Sequence, residues 1–199
     1  PAYFTIQRRE ITILAEDKQK TYGEEDPELT YVIQSGTILE GDEFTGNIYR
    51  VSGDNAGTYD IRSNLSLGRN YKINFIKGSF VIKPIDIYVK TYDYEKTYGD
   101  ITPTFKYEIT SGELLGGDVL LGGVSKEGND EVGKYRLVSA FNNVNYNVIL
   151  TENYLTIHPK KAYLSVNIQD KVYDGTTVAY IKNPVISGLI DEDVKLSYD

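Results

Sequence analysis

The tetrapeptide KTYG stands at residues 20–23 and again at residues 96–99, and the related KVYDG stands at residues 171–175. Sliding the sequence along itself by 76 residues, which is 96 minus 20, extends the match over most of the chain. The pattern SG…GD at residues 35–42 then falls on the same pattern at residues 111–118. Such self-similarity at a fixed period indicates a tandem array of one structural unit.

The repeat divides the chain into four predicted parts. We expect residues 1–7 to be the closing strand of a preceding repeat, because their AYFTI resembles the SFVI and YLTI that end the two later copies. Residues 8–83 and 84–158 are predicted to be two full repeats, and residues 159–199 the first half of a third. A half repeat leaves strand edges unpaired, which predicts strand exchange between neighbouring chains or cover by the second repeat.

The apolar residues favour β-structure. The chain is rich in Tyr and β-branched residues and contains no Trp, Met or Cys, a composition that suits pleated, half-buried strands. Runs such as ITILA at residues 11–15 and YKINF at residues 71–75 alternate apolar and polar side chains, as half-buried strands do. IKGS at residues 76–79 predicts a tight hairpin. We therefore predict a mainly β fold of tandem small antiparallel β domains.

The stretch SGTILEGDEF at residues 35–44 leaves two versions of each unit open. An irregular crossover here would give a sandwich-like domain, whereas a short helix across one sheet would give a β-grasp-like domain. Between units, FVIKPIDIYV at residues 80–89 joins two strands with only Lys83 and Pro84 between them. Because Pro fixes its own φ and keeps its predecessor extended, we expect stiff joints and a rod of successive units.

Charge and composition exclude several classes of function. The formal net charge of −8 would repel a phosphate backbone, so we expect no nucleic-acid partner. No apolar run approaches the roughly 18 residues of a membrane span, so we expect no membrane insertion by this segment. The absence of Cys excludes disulfide bonds and metals held by thiolates.

Few residues could carry chemistry. The one His, His158, has no partner motif, and no phosphate-binding loop or nucleophile motif is present, so we predict no enzyme, no catalytic residues and no metal site. Acidic clusters occur at residues 23–27, 40–44, 128–131 and 191–194. Calcium binds to carboxylate oxygens of this kind, but none of the clusters has the spacing of a known calcium loop. We predict no cofactor, with calcium as the alternative.

A covalent link inside each repeat is a further alternative. Lys20, Lys96 and Lys171 recur, as do Asn70 and Asn145, and Lys–Asn crosslinks strengthen some surface proteins. Such a reaction needs a buried acid beside both groups, and no sequence pattern identifies one. We therefore expect these lysines to lie at the surface beside a turn.

We interpret the repeated phrase as a structural corner. Its tyrosine is expected to lay the ring on the core and direct the hydroxyl at a backbone group, and its glycine to supply a positive φ. A ligand site built from the same tyrosines is the alternative, and no binding residue is predicted. The positions with this structural role are Tyr22, Gly23, Tyr98, Gly99, Tyr173 and Gly175.

These motifs resemble those of the MBG domain of the YGX type. The resemblance rests on KTYG followed by Pro, on SG…GD, on Gly-x-Tyr at residues 57–59 and 133–135, on the dipeptide NY and on the closing FVIKP. KVYDGTT in the third copy resembles the related YDG domain. The resemblance implies tandem domains of large bacterial adhesin-like proteins, located extracellularly at the cell surface or secreted.

Two functions follow as hypotheses. Repetition, stiff joints, acidity and the resemblance favour a non-enzymatic stalk segment that spaces a binding domain from the bacterial cell. The alternative is that the repeats themselves bind a host glycan or protein, with exposed tyrosines stacking on sugar rings.

Overall fold

The computed structural model describes residues 2–190 of the chain. Within this range the secondary structure consists of strands and turns without any helix, which confirms the predicted mainly β fold. Short apolar runs with Tyr, Val and Ile form the strands, and glycines interrupt them. The strands are β1 Arg9–Ala15, β2 Lys18–Thr21, β3 Tyr31–Ser35, β4 Ile48–Arg50, β5 Gly57–Ser63, β6 Tyr71–Ile76, β7 Gly78–Lys83, β8 Ile85–Lys90, β9 Tyr94–Thr97, β10 Glu108–Ser111, β11 Val124–Lys126, β12 Gly133–Ser139, β13 Tyr146–Leu150, β14 Tyr154–His158, β15 Tyr163–Gln169 and β16 Tyr180–Ser187.

Residues 9–21 and residues 71–83 of the first repeat are two segments that pair in parallel in both of its sheets. β1 pairs in parallel with β6, with Arg9 opposite Tyr71, and β2 pairs in parallel with β7, with Lys18 opposite Phe80. Both pairings have the same offset, 71 − 9 = 80 − 18 = 62 residues, so the register continues from one sheet into the next. The two long segments therefore run side by side through both sheets of the repeat.

The predicted hairpin at residues 76–79 is wrong. β6 and β7 belong to different sheets, so the chain passes from one sheet into the other at Lys77 instead of turning back. Gly78 serves a different purpose from a turn, because a Cβ there would lie 2.9 Å from the carbonyl oxygen of Ala15. The glycine allows the two parallel segments to approach each other closely where the chain passes between the sheets.

Each full repeat contains one three-stranded and one four-stranded sheet. The expectation of purely antiparallel domains needs correction, because parallel pairs of β1 with β6, β2 with β7 and β9 with β14 stand beside antiparallel ones. The sheet orders are β3-β1-β6 and β2-β7-β5-β4 in the first repeat, and β10-β8-β13 and β11-β12-β14-β9 in the second. The described part of the third repeat contains the antiparallel pair β15-β16.

The stretch at residues 35–44 is an irregular crossover with a short turn. The β-grasp-like alternative with a helix is therefore wrong, and the irregular version of the unit is the observed one. Gly36 and Gly41 both have a positive φ, +91° and +88°, and Gly41 interrupts the stretch that would have to be helical. A Cβ at Gly36 would also meet the carbonyl oxygen of Glu10 at 2.4 Å.

Side chains from both sheets bury the core of the first repeat. One cluster is built on Ile11, Ile13, Leu67 and Tyr71, and a second on Ala15, Ile61, Phe80 and Ile82. Phe75 packs against both clusters, so they form one continuous core. In the second repeat Leu137, Leu155 and Ile157 form the corresponding cluster. In the third repeat, by contrast, all residues of β15 are exposed.

The chain forms two compact units. The first unit comprises residues 2–88, 109–122 and 141–149, and the second comprises residues 89–108, 123–140 and 150–190, within the described range. The first unit thus combines the whole first repeat with the beginning of the second repeat, its SG…GD loop and its NY dipeptide. The boundary between the first two repeats, at Lys83 and Pro84, lies inside a compact unit.

Candidate functional site: the joint between repeats

The predicted corner is a tight turn at the end of β2. The amide of Glu24 donates to the carbonyl of Thr21 at 3.1 Å, and Gly23 is the third residue of this turn with a φ of +85°. A turn with positive φ at its third residue is of type II and favours Gly there. Gly99 has the same φ of +85°. The amide of Tyr22 donates to the carbonyl of Lys83 at 2.8 Å, which ties the corner to the closing strand β7.

The lysine of KTYG is part of the corner. The Lys20 side chain is only 9% exposed, and its Nζ donates to the carbonyl of Glu24 at 2.8 Å. Lys96 is 6% exposed and donates to the carbonyl of Asp100 at 3.0 Å. The expectation of surface lysines is therefore wrong for these two positions, because each ammonium group closes its own turn.

The acid beside this lysine differs between the repeats. In the first repeat Asp26 accepts an ion pair from Lys20 at 2.8 Å and a second one from Arg50. The hydrogen bond from Arg50, and then the one from Lys20, holds the pKa of Asp26 below its ordinary value. In the second repeat Asp130 takes this role and lies 3.3 Å from Lys96. Its pKa is lowered chiefly by the hydrogen bond from Lys96.

The NY tyrosine holds the SG…GD loop in shape. Tyr146 accepts a hydrogen bond from the amide of Leu115 at 2.8 Å and donates its hydroxyl proton to Asp118 at 2.7 Å. In the first repeat Tyr71 makes the same two bonds, to the amide of Leu39 and to Asp42. The repeated NY and GD motifs therefore form one scaffold in each copy.

This loop scaffold meets the corner of the preceding repeat inside the first compact unit. The rings of Tyr22 and Tyr146 pack edge to face, with centroids 5.8 Å apart and planes at 78°. Leu115 packs directly on Gly23, since a Cβ at residue 23 would lie 2.2 Å from Leu115 Cδ1. Gly23 is thus required both for its positive φ and for the space that Leu115 occupies.

A buried amide completes the joint. Asn145 is 6% exposed, and its Oδ1 accepts a hydrogen bond from the amide of Ala56 at 2.7 Å. Its Nδ2 donates to Oδ1 of Asn55 at 3.1 Å. One side chain of the second repeat therefore satisfies two polar groups of a first-repeat loop, which gives the joint a defined geometry.

The joint also shifts the titration of its two tyrosines. A hydrogen bond to the Asp118 carboxylate, followed by burial, raises the pKa of Tyr22. Burial raises the pKa of Tyr146, and the hydrogen bond to Asp118 adds to this shift. The hydroxyl of Tyr22 thus interacts with a side chain of the next repeat, whereas the sequence predicted a backbone partner. Both phenols are stabilised in the neutral form that the joint requires.

The second compact unit contains a related contact. A Cβ at Gly99 would lie 1.9 Å from Ile190 Cδ1, so Ile190 of the third repeat packs on this glycine as Leu115 does on Gly23. Tyr98 lines an apolar cleft there together with Pro159, Ala162 and Leu189. The third predicted corner is different. Tyr173 is 91% exposed, and Gly175, with a φ of +81°, has no described atom within 4 Å of an added Cβ.

The structure separates the groups of the other chemical alternatives. The crosslink hypothesis needs a Lys and an Asn of the same repeat to bind each other. In the second repeat Lys96 binds Asp100 and Asp130 instead. Asn145 of that repeat binds Asn55 and Ala56. His158 lies at the surface, with its Nε2 3.3 Å from Glu95.

Two further features concern metals and membranes. No group of three or more His, Asp or Glu residues in the described part of the chain could hold a metal ion. The acidic cluster at residues 191–194 lies outside the described residues. Between residues 2 and 190 there is no helix long and apolar enough to cross a membrane.

Sequence reasoning missed the partners of the corner. Leu115 repeats at the 76-residue spacing of KTYG, and Asn145 and Tyr146 repeat at 75 residues, 145 minus 70. These nearly equal spacings were the available signal. The period alone does not reveal that a motif of one copy contacts a different motif of the preceding copy. The structure provides that pairing.

A comparison with protein families agrees with the repeat. The family model of the MBG domain (YGX type) matches residues 11–81 and 87–156, and this confirms the resemblance inferred from the motifs. Residues 159–199, predicted to begin a third copy, lie outside both matches. No curated protein matches the chain. MBG repeats are found in bacterial surface proteins, typically extracellular ones, and are non-catalytic repeat domains.

Proposed function

Because the chain belongs to the MBG domain family (YGX type), we propose that it is a non-enzymatic stalk segment of a bacterial surface or secreted adhesin. In this role the repeats space a binding domain from the cell. The family's occurrence in extracellular surface proteins supports the location. The packed joint between the first two repeats supports the spacing role.

The joint is the observation that carries the proposal. A spacer needs junctions that keep successive repeats from collapsing onto one another, and a flexible linker does not provide them. Here only Pro84 separates β7 from β8, and Leu115 and Asn145 of the second repeat pack on the first. The repeat boundary is thus a packed interface with defined hydrogen bonds.

The free energies of the contacts at the joint support a joint that is closed most of the time. An edge-to-face tyrosine pair contributes about 1 kcal/mol, and each hydrogen bond of Asn145 contributes about 1 kcal/mol net. A total of about 3 kcal/mol, from one ring pair and two hydrogen bonds, corresponds to roughly 150 closed joints for each open one. The burial of Leu115 on Gly23 adds to this value.

A display experiment tests the role. A reporter binding domain is fused to the end of the segment on a bacterial surface, and its capture of a ligand buried behind a polymer layer is measured. We expect capture to rise with the number of repeats. A Gly/Ser linker of equal length should capture less, because a random coil extends less per residue. Capture that is independent of repeat number would contradict the spacer role.

The alternative function, binding of a host glycan or protein by the repeats, stays a prediction. Stacking on sugar rings needs an open tyrosine face. Lys90 Nζ lies 5.2 Å from the ring centre of Tyr92, and Lys134 Nζ lies 4.0 Å from that of Tyr154. Each ammonium group would therefore compete with a sugar for one face of its tyrosine ring. Specific retention of the segment on a glycan array would nevertheless support binding over spacing.

A further inference from the structure

The first repeat carries an uncovered copy of the loop scaffold. We define the N-terminal socket as Leu39, Asp42, Asn70 and Tyr71. Tyr71 holds the Leu39 amide and the Asp42 carboxylate as Tyr146 holds Leu115 and Asp118. Leu39 is nevertheless 54% exposed, and Asn70 is exposed as well. The socket is thus preformed by the buried Tyr71, which is 6% exposed, and no described group covers Leu39 or Asn70.

The corresponding residues of the second repeat show what such a socket binds. Leu115 packs on Gly23, and the ring of Tyr146 packs against Tyr22. Asn145, at the position of Asn70, binds the loop amide of Ala56. The occupant of this second socket is therefore the KTYG corner of the repeat before it, together with that repeat's Asn55–Ala56 loop.

Residues 4–7 beside the N-terminal socket lead to the same occupant independently. FTIQ at residues 4–7 aligns with FVIK at residues 80–83, the strand that pairs in parallel with the corner strand β2. Residues 4–7 have no strand partner in the described chain, and Phe4 and Ile6 are 89% and 82% exposed. Unpaired backbone and large apolar side chains of this kind favour pairing with a further strand.

We infer that the N-terminal socket binds the KTYG corner of another MBG repeat, whose corner strand pairs in parallel with residues 4–7. The positive-φ glycine of that repeat lies against Leu39, and its tyrosine packs on Tyr71 near Asp42. Its loop amide donates to Asn70. This inference goes beyond the stalk role, because the contact would link repeats of any function.

The chemistry of the socket restricts the occupant. Leu39 needs a partner backbone without a Cβ, as Gly23 provides for Leu115. Asn70 needs one donor and one acceptor, which Ala56 and Asn55 provide for Asn145. An unrelated apolar peptide would cover Leu39 and leave Asp42 and Asn70 without new partners.

An extended chain tests the inference. A copy of residues 8–79 is placed directly before Phe4 of the full chain, so that residues 4–7 become its closing strand. Thr58→Ser in the copy, at an exposed position, distinguishes its peptides by mass. Hydrogen exchange then reports the amide of Ala56 in the copy and in the original repeat separately. We expect both amides to be protected.

Two matched variants show which asparagine protects each Ala56 amide from exchange. Asn70→Ala should speed exchange at the copy's Ala56 about fivefold to tenfold, the loss of about one hydrogen bond, and leave the original Ala56 unchanged. Asn145→Ala should speed exchange at the Ala56 amide of the original repeat and leave that of the copy unchanged. Protection of residues 4–7 should persist in Asn70→Ala, which shows that the copy still folds.

Leu39→Asp provides a second measurement. In the original chain it should leave the melting temperature unchanged, because Leu39 is exposed there. In the extended chain it should lower the melting temperature of the copy by about 5 °C. A folded copy whose Ala56 exchange and melting ignore both Asn70 and Leu39 would overturn the inference. That result would leave the display experiment, and hence the stalk proposal, unaffected.

Discussion

Leu115 occupies the space that any side chain at position 23 would need, because a Cβ on Gly23 would lie 2.2 Å from Leu115 Cδ1. The glycine of the repeated corner therefore serves two purposes. It adopts a φ of +85° that other residues avoid, and it admits the leucine of the next repeat. The corner therefore belongs to the joint between repeats as well as to its own repeat.

Gly23→Ala separates these two purposes when it is compared with Gly41→Ala. Gly41 has a φ of +88° but no atom within 4 Å of an added Cβ, so its substitution should cost only backbone strain, about 1 kcal/mol. Gly23→Ala should cost about 0.5–1.5 kcal/mol more, because it also forces the Leu115 side chain out of its preferred rotamer. Urea denaturation of the full chain measures both values.

The double variant Gly23→Ala with Leu115→Ala provides the control. If the clash explains the larger cost, the double variant should be more stable than the sum of the two single changes predicts. Additive effects would mean that Leu115 does not pack on Gly23 in solution.

Asn145→Ala should destabilise the junction by about 1–3 kcal/mol, because the buried amide of Ala56 loses its acceptor. Asn147→Ala is the matched control. Asn147 is exposed, and its Nδ2 donates to the surface carboxylate of Asp86 at 2.8 Å. We expect this control to change stability by less than about 0.5 kcal/mol. Equal effects of the two variants in chemical denaturation would contradict the role assigned to Asn145.

The sequence predicted the repeat, the β class and the corner glycines because each depends on local chemistry or on a period. Alternating apolar residues mark strands such as β1, and a glycine at a turn marks a positive φ, as at Gly23. Which strand pairs with which does not depend on local chemistry in this way. IKGS at residues 76–79 predicts a hairpin because Gly favours turns, but the parallel pairing of β7 with β2 places β7 in another sheet.

The joint could not be predicted for a similar reason. Leu115, Asn145 and Tyr146 are ordinary core-type or polar residues whose roles depend on which repeat they face. Lys20 likewise looked like a surface residue, because its partners, the carbonyl of Glu24 and the carboxylate of Asp26, become close only when the turn forms. Contacts between different motifs of successive copies leave no local pattern.

The joint should weaken at alkaline pH. The pKa values of Tyr22 and Tyr146 are raised above the ordinary value of 10.0 in the folded chain. Above pH 10 the unfolded chain loses these protons more readily than the folded chain, so the free energy of unfolding falls as pH rises. Tyr22→Phe removes one phenol and should reduce this pH dependence. Urea denaturation between pH 8 and 11 checks the slope, and an unchanged slope would contradict the assignment.

Acid should affect the first repeat through Asp26. Its pKa lies below the ordinary value of 3.8 because of the hydrogen bond from Arg50 and then that from Lys20. A lowered pKa means that the unfolded chain binds protons first as pH falls, so this contribution is complete above about pH 4 and is lost as pH falls further. Because Asp26 is 39% exposed, solvent screening keeps the effect small.

Asp26→Asn tests this contribution against its counterpart in the second repeat. Residue 102, at the position of Asp26, is Thr102, and Asp130 supplies the carboxylate there. Asp26→Asn should therefore flatten the acid dependence of exchange protection in β2 and β7, while β9 and β14 keep theirs. Asp130→Asn should have the opposite pattern. Hydrogen exchange between pH 3 and 6, corrected for the intrinsic rate at each pH, resolves the two repeats. A loss of acid dependence in both repeats from either variant would show that the two charge clusters are not independent.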